Sequence, residues 1–344
     1  METILRLLRL TDQDSSEPCR IITAVTIRAD SAAADLLSSG DYAIAFPETS
    51  ILYHGMRRQS TDLLTVETTS MLTNLLRLSN DAYAMELARK IEDRFSLRYV
   101  MTRDDFEGLR TQKSATDMTD LDCFIEIIEG KLSNDAKKVW QKARDRHGRY
   151  QDLFDSAMKT IKKLKRNIGA ATAAQLEADS IKAIVDFELK RNKGVPSWNF
   201  RNEGIGRLAD DFFLLNEYLS NYGSGRLRKW CTSFGKYLLS KGDVEEIDAV
   251  TDEEAQAEKL VEKVAPLLMP VSSFFVAMCH ALQEGENELT AIDAYWLGLV
   301  DEVVGNDDLW TLRSFEEYKP DPPTNDNKGN KNTTSDGQTD AAGA

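Results

Sequence analysis

Cysteine and histidine are scarce in this chain of 344 residues. Its four cysteines lie far apart, at Cys19, Cys123, Cys231 and Cys279, and no two of them form a Cys-x-x-Cys pair. Zinc sites and disulfide frameworks need clustered cysteines or histidines. Because the sequence has only three dispersed histidines as well, we expect no metal ion and no other cofactor. Scattered cysteines of this kind are typical of a reducing compartment, where they act as small apolar residues.

A surplus of positive charge is also missing. The chain has 57 acidic and 43 basic residues, and its net charge is −14. A general nucleic-acid binder needs a basic surface, so we expect no nucleic-acid partner. The glycine patterns that hold nucleotide phosphates, Gly-x-Gly-x-x-Gly and the Walker loop, are absent too. Any ATP-driven step would therefore need a separate subunit.

Apolar runs that could cross a membrane are not evident. The run Val264–Leu282 lacks charged side chains, but Pro266 and Pro270 interrupt its start. Since proline breaks a helix, the remaining run is too short for a membrane span and predicts a buried helix. The amphipathic residues Met1–Leu10 lack the apolar stretch of a signal peptide. We therefore expect a cytoplasmic protein without a membrane partner.

What the chain does contain is a serine and a histidine at the ends of predicted strands. The apolar run Ile21–Ile27 ends just before Ser31, where a helix of small residues begins. Ser31 thus lies at a strand-to-helix turn, where free backbone N–H groups and the helix dipole favour an oxyanion. A second short strand ends at His54. This placement suits a nucleophile–base pair, but it also suits an N-capping serine and a structural histidine.

Two blocks of the sequence carry a family resemblance. The first block contains, in order, Ser31, Leu36-Leu37, Ser38-Ser39, Gly40, Pro47 and His54. The second block, Leu289–Asp301, reads as a short helix followed by a strand. Together they resemble the proteolytic subunit of the Clp protease, a barrel-shaped serine peptidase. The resemblance covers roughly residues 1–110 and 286–304.

The resemblance implies both a fold and an activity. The fold would be α/β, a strand–helix spiral of the Clp-protease and crotonase type. The activity would be that of a serine endopeptidase, a hydrolase with Ser31 as nucleophile and His54 as general base. The family also assembles into homo-oligomeric rings that cleave peptide or protein substrates, which a separate ATPase unfolds.

The third member of the catalytic triad has two candidates. Counted back from Leu289, the family's acid falls on Glu286, and a glutamate can orient a histidine as an aspartate does. The other candidate is Asp104, 50 residues after His54, in a phrase that also resembles the family's. We expect Glu286, and we keep Asp104 as the alternative.

Two departures from the family pattern favour other functions. The family's Gly-Gly turn, which supplies an oxyanion donor ahead of the serine, has no counterpart in this chain. Asp30 stands directly before Ser31, where the family has a small residue. A carboxylate beside a developing oxyanion is unfavourable unless it points away. The alternatives are a catalytically impaired assembly or adaptor protein on the same fold, and a crotonase-like acyl-CoA enzyme.

Between the two blocks the sequence predicts helices rather than the family's compact pattern. We divide the chain into an α/β core (1–119), a large all-helical insertion (120–284), the closing helix and strand of the core (285–305) and a disordered tail (318–344). The tail is rich in polar residues, glycine and proline, and it has too little apolar surface to fold.

The predicted elements follow from hydrophobic periodicity. Those of the core are a helix over Glu2–Leu10, a strand over Arg20–Ile27, a helix over Ser31–Ser39, strands over Ala43–Phe46 and Ser50–Tyr53, and a long helix over Thr61–Asp93. Those of the insertion are helices over Leu121–Leu132, Asp135–Arg166, Ala171–Lys190, Glu203–Tyr222, Gly225–Ser240, Asp252–Ala265 and Val271–Gln283.

Overall fold

The structure is a computed structural model that describes residues 20–57, 65–149 and 231–314. These ranges form a mixed α/β structure that is mostly helical and has two small sheets. Four expectations lie outside the described residues: the helix over Glu2–Leu10, the helices over Ala171–Lys190 and Glu203–Tyr222, and the disordered tail 318–344.

Six short strands build the two sheets. They are β1 (Ile22–Val25), β2 (Arg28–Asp30), β3 (Tyr42–Ala45), β4 (Ser50–His54), β5 (Glu286–Thr290) and β6 (Glu302–Val303). The first sheet has the order β1-β3-β6 and is entirely parallel. The second has the order β2-β4-β5, in which β2 and β4 are parallel and β5 is antiparallel to β4.

The single strand predicted over Arg20–Ile27 is wrong. The chain bends at Thr26-Ile27, so that β1 joins the first sheet and β2 joins the second. A run of β-prone residues indicates extended backbone, but it does not show where a strand leaves one sheet for another. The bend matters for the site because it places β2, and the serine that follows it, beside β4.

Helices make up most of the remaining described chain. They are α1 (Ala32–Ser38), α2 (Val66–Met101), α3 (Asp104–Lys113), α4 (Asp120–Lys131), α5 (134–149), α6 (Lys241–Asp248), α7 (Glu253–Leu282) and α8 (Ala291–Trp296), with a 3-10 turn over Gly235–Leu238. Threonine capping boxes begin three of them, at Thr65, Thr119 and Thr290. These caps satisfy N–H groups of the first turn that have no acceptor within the helix.

Helix α7 runs without interruption through Pro266 and Pro270. The expected break between helices over Asp252–Ala265 and Val271–Gln283 is therefore wrong. The second half of α7 is buried along α2, where Phe275 stacks on Phe95 with ring centroids 5.1 Å apart. This tertiary packing outweighs the local cost of the prolines. Among the helices in the described ranges, none is long and apolar enough to cross a membrane.

A buried ion pair fixes the carboxyl end of α1. Arg94 of α2 pairs with Asp301 at 2.8 Å, and both side chains are almost completely buried. The same guanidinium donates to the carbonyl oxygens of Ser38 (3.0 Å) and Gly40 (2.7 Å). The Asp301 carboxylate also accepts from the N–H of Ala43 at 2.6 Å. These contacts tie α1, β3 and the closing segment to α2, the long helix of the core.

Candidate active site

Ser31 has a strained backbone. It lies at the turn between β2 and α1 with φ 54° and ψ −119°. Among the non-glycine residues that the structure describes, only Ser31 and Ser114 have a positive φ. Such a conformation costs about 1–3 kcal/mol and persists only where the surroundings hold it, which is common at functional sites. A sharp, strained strand-to-helix turn is also where hydrolases expose a nucleophilic serine.

Ser31 does not act as an ordinary capping residue. Its side chain makes no hydrogen bond to the first turn of α1, whereas the side chain of Thr65 caps α2 in the usual way. Its N–H donates to the carbonyl oxygen of Leu52 at 2.8 Å, on the neighbouring strand β4. The contact holds the serine against β4, and the missing side-chain capping bond disfavours the capping alternative.

His54 ends β4, two residues after the carbonyl that binds Ser31. Because β4 is the central strand of its sheet, Ser31 follows the neighbour on one side and Glu286 begins the neighbour on the other. The His54 Nδ1 lies 2.6 Å from the carbonyl oxygen of Gly55. A carbonyl only accepts, so Nδ1 carries the proton and Nε2 keeps a lone pair. A general base that acts through Nε2 needs this tautomer.

Gly55 leaves no room for a side chain at the position that holds His54. A Cβ there would lie 2.7 Å from the carbonyl oxygen of Gln283 and 2.8 Å from the Asn80 side-chain nitrogen. The Asn80 side-chain oxygen also accepts from the N–H of Met56 at 2.6 Å. The end of β4 is therefore fixed between the carboxyl end of α7 and the middle of α2.

Glu286 lies directly across from His54. The antiparallel register of β4 and β5 pairs the two residues, which places them next to each other on the sheet. The Glu286 carboxylate accepts from Arg57 at 2.6 Å, and this guanidinium lowers the pKa of Glu286. In the described part of the chain no hydrogen bond joins Glu286 to His54. The sequence thus predicted that Glu286 lies near His54. The carboxylate of Glu286, however, is bound to Arg57.

Asp104 lies far from the other candidates. It is the first residue of α3, immediately beyond the carboxyl end of α2. From Asn80, which contacts the segment after His54, α2 continues to Met101. At about 1.5 Å per residue this is roughly 30 Å. Asp104 is therefore not placed to orient His54.

Asp35 is an acid on α1, four residues after Ser31, that the sequence reasoning missed. It lies on the first full turn of α1 and is partly buried. Burial raises the pKa of Asp35 to about 6, while the Tyr83 hydroxyl and the charge of His54 act in the opposite direction. One signal could have found it: Asp35 is the only charged residue between Ser31 and Gly40.

The Asp30 carboxylate is paired with a cation. Its carboxylate accepts from the Arg28 guanidinium, with both oxygens 2.8 Å from Nε, on an exposed part of β2. This pairing raises the pKa of Arg28. The carboxylate that the sequence placed beside the oxyanion is therefore neutralised by a neighbour two residues away.

A second serine–histidine pair lies in the helical part. The His147 Nε2 and the Ser273 Oγ are 3.1 Å apart, and both residues are buried. Ser273 lies in the interior of α7, where N–H groups bond within the helix and cannot hold an oxyanion. His280 and Cys279 are buried in the same helix, and burial raises the pKa of the Cys279 thiol. All four residues are buried, and Ser273 is a useful control.

Comparison of the chain with known protein families, with curated proteins and with solved structures finds no match. The chemistry must therefore be argued from the geometry of Ser31, His54 and their neighbours.

Proposed function

We propose that this protein is a serine hydrolase in which Ser31 is the nucleophile and His54 the general base. The observation that carries the proposal is the strained, uncapped backbone of Ser31, hydrogen-bonded to the strand that ends in His54. Strain at a serine on a strand-to-helix turn has a functional explanation in nucleophile activation. If Ser31 served only packing, there would be no reason to keep its strained backbone.

The proposed reaction is acyl transfer. The Ser31 Oγ attacks the substrate carbonyl carbon, and its proton moves to the His54 Nε2. The N–H groups of Ala32 and Ala33, which have no acceptor within the first turn of α1, donate to the oxyanion. The imidazolium then gives its proton to the leaving amine. Water, deprotonated by His54, releases the acyl group and regenerates Ser31.

The substrate class and the assembly rest on the Clp-protease resemblance. It supports a peptidase with a strand–helix spiral, a helical insertion and peptide or protein substrates. It also supports a homo-oligomeric ring that works with a separate ATPase unfoldase. In this proposal Glu286 is the family's acid, and it has to leave Arg57 before it can reach His54.

The test is labelling of the purified full chain with a fluorophosphonate, which reacts with activated serines. We expect labelling of the wild type and its loss in both Ser31→Ala and His54→Ala. Ser114→Ala is the matched control, because Ser114 has the other positive φ but lies at the exposed end of α3. Ser273→Ala tests the second serine–histidine pair. Labelling that survives Ser31→Ala would remove Ser31 from the mechanism.

A non-catalytic assembly or adaptor protein is the second candidate. Two observations favour it: the Glu286 carboxylate is held by Arg57, and no hydrogen bond joins Ser31 to His54 among the described residues. A folded, assembled wild type that is not labelled at any pH between 5 and 9 would make this candidate the better one.

A further inference from the structure

The carbonyl that accepts the His54 proton belongs to a peptide group held from both sides. The Gly55 carbonyl oxygen lies 2.6 Å from the His54 Nδ1. The same peptide group ends in the N–H of Met56, which donates to the Asn80 side-chain oxygen at 2.6 Å. In a planar trans peptide the C=O and the N–H point in opposite directions. His54 and Asn80 therefore bind the two sides of one rigid plane.

The position of Asn80 is itself fixed. It lies inside α2, where the carboxylate of the next residue, Asp81, is buried 3.6 Å from the His280 Nδ1 of α7. The Asn80 amide also lies directly against the chain, because a Cβ at Gly55 would be 2.8 Å from its nitrogen. A backbone N–H only donates, so the side-chain atom that binds Met56 must be the oxygen. Helix α2 therefore presents a fixed acceptor to this peptide group.

Among the described residues, no carboxylate forms a hydrogen bond with His54. The Glu286 carboxylate is exposed and binds Arg57 at 2.6 Å. The neutral His54 ring has one N–H, and the Gly55 carbonyl already accepts it. In a Ser-His-Asp triad a buried carboxylate accepts this proton and holds the ring in the correct tautomer. Here a backbone carbonyl is in that position.

From these contacts we infer that Asn80 is a positioning residue, which orients the peptide group whose carbonyl holds His54 in the tautomer with a free Nε2. The inference rests on the proposed function and replaces the acid of the triad by this peptide group. A backbone carbonyl can fix the tautomer of a histidine as a carboxylate does. When the Ser31 proton reaches the His54 Nε2, the ring becomes positive. Its hydrogen bond to the Gly55 carbonyl then becomes charge-assisted and stronger.

The hydrogen bond to Asn80 supports this step. The Asn80 oxygen polarises the N–H of Met56, which makes the carbonyl on the other side of the same peptide group a stronger acceptor. The Nδ1 proton stays on His54 throughout the reaction, and the Nε2 proton continues to the leaving amine. Asn80 itself exchanges no proton.

The tautomer of His54 tests the inference without any activity. In the full chain labelled with ¹⁵N, the ring signals distinguish a protonated nitrogen from a bare one, and His54→Gln identifies those of His54. In the wild type the neutral ring should carry its proton on Nδ1. Asn80→Leu and the smaller Asn80→Ala remove the acceptor, so part of the population should carry the proton on Nε2 instead. Asn80→Asp keeps an acceptor oxygen and should keep the wild-type tautomer.

Fluorophosphonate labelling tests whether this tautomer matters for the chemistry. Asn80→Leu and Asn80→Ala should be labelled about tenfold more slowly than the wild type, the effect of one lost hydrogen bond. Asn80→Asp should restore the rate. Asn74→Leu is the matched control, because Asn74 lies earlier on the same helix and its side chain makes no hydrogen bond in the described part of the chain. This control should keep the wild-type rate and tautomer, and circular dichroism checks that each variant is folded.

The outcomes separate the two proposals. If Asn80→Leu and Asn80→Ala keep the Nδ1 proton, or are labelled slowly with an unchanged tautomer, the Asn80 inference is overturned and the serine hydrolase stands. The same holds if only Glu286→Gln changes the His54 tautomer and the labelling rate. A wild-type ring that carries its proton on Nε2 would exclude the contact itself. If the wild type is never labelled, the proposed function fails, and the inference fails with it.

Discussion

The two ends of α1 are built in opposite ways. At the carboxyl end, Arg94 bonds the Ser38 and Gly40 carbonyls and pairs with Asp301 in a buried network. At the amino end, Ser31 has a strained backbone without a capping bond, and Asp35 is partly buried with a raised pKa. The carboxyl end of α1 stabilises the fold. The amino end keeps a strained serine backbone and a partly buried carboxyl, both of which are unfavourable for folding. Proteins accept such local costs mainly where function needs them.

The largest expected effect comes from breaking the stable end. Arg94→Met leaves the Asp301 carboxylate buried without its cation, which should lower the free energy of unfolding by about 3–5 kcal/mol. Urea unfolding of the full chain measures it. Arg28→Ala, which breaks the exposed pair with Asp30 near the other end, should change stability little. If Arg94→Met and Arg28→Ala lost equal amounts of unfolding free energy, the contrast between the two ends of α1 would be contradicted.

The next effect is a gain in stability at the amino end. The folded state raises the pKa of Asp35 from 3.8 to about 6. Between these values the unfolded chain ionises Asp35 and the folded chain does not, so wild-type stability falls as pH rises from about 4 to about 6. Asp35→Asn removes this loss and should be more stable at pH 7 by about 3 kcal/mol.

Thermal unfolding at pH 4 and at pH 7 checks this prediction. The advantage of Asp35→Asn should be near zero at the lower pH and full at the higher one. A variant that is less stable than the wild type at pH 7 would show that the ionised carboxyl stabilises the fold. The contrast between the two ends of α1 would then be lost.

The smallest effect concerns the Ser31 backbone. Glycine adopts a positive φ without strain, so Ser31→Gly should be more stable than Ser31→Ala by about 1 kcal/mol. Both variants should lose fluorophosphonate labelling, because neither has the serine hydroxyl. The difference in their stability therefore reports the backbone strain alone. Ser114→Gly and Ser114→Ala are the matched pair of variants, because Ser114 has an ordinary left-handed backbone conformation at the carboxyl end of α3. If alanine is as stable as glycine at position 31, the turn is not strained.

Local sequence patterns predicted much of the site region. The helix after Ser31 and the strand before His54 are present with ends that differ by a residue, as Ala32–Ser38 and Ser50–His54. The strand over Tyr42–Ala45 likewise differs by one residue at each end. These elements are short and end at glycine, proline or a polar residue, which act through local backbone preferences.

Elements that depend on residues distant in the chain were not predicted from the sequence. Strand β5 was not predicted, because its alternation is visible only once Asn287 and Leu289 are known to face the core. The long helix α2 continues past its predicted end at Asp93 because Arg94 and Arg98 find buried partners there. Their guanidiniums bond carbonyls of the closing segment, at Leu299 and Val300.

The sequence by itself determined the turn at Ser31 and the strand that ends at His54, because backbone preference and small-residue patterning act within a few residues. It also placed Glu286 near the histidine, through a likeness in the order of residues. Only the tertiary structure decided the surroundings of the Glu286 and Asp35 carboxylates. Arg57 binds Glu286 and α2 covers Asp35 with Tyr83. The charge and desolvation of a carboxyl depend on residues distant in the chain, which no local pattern records.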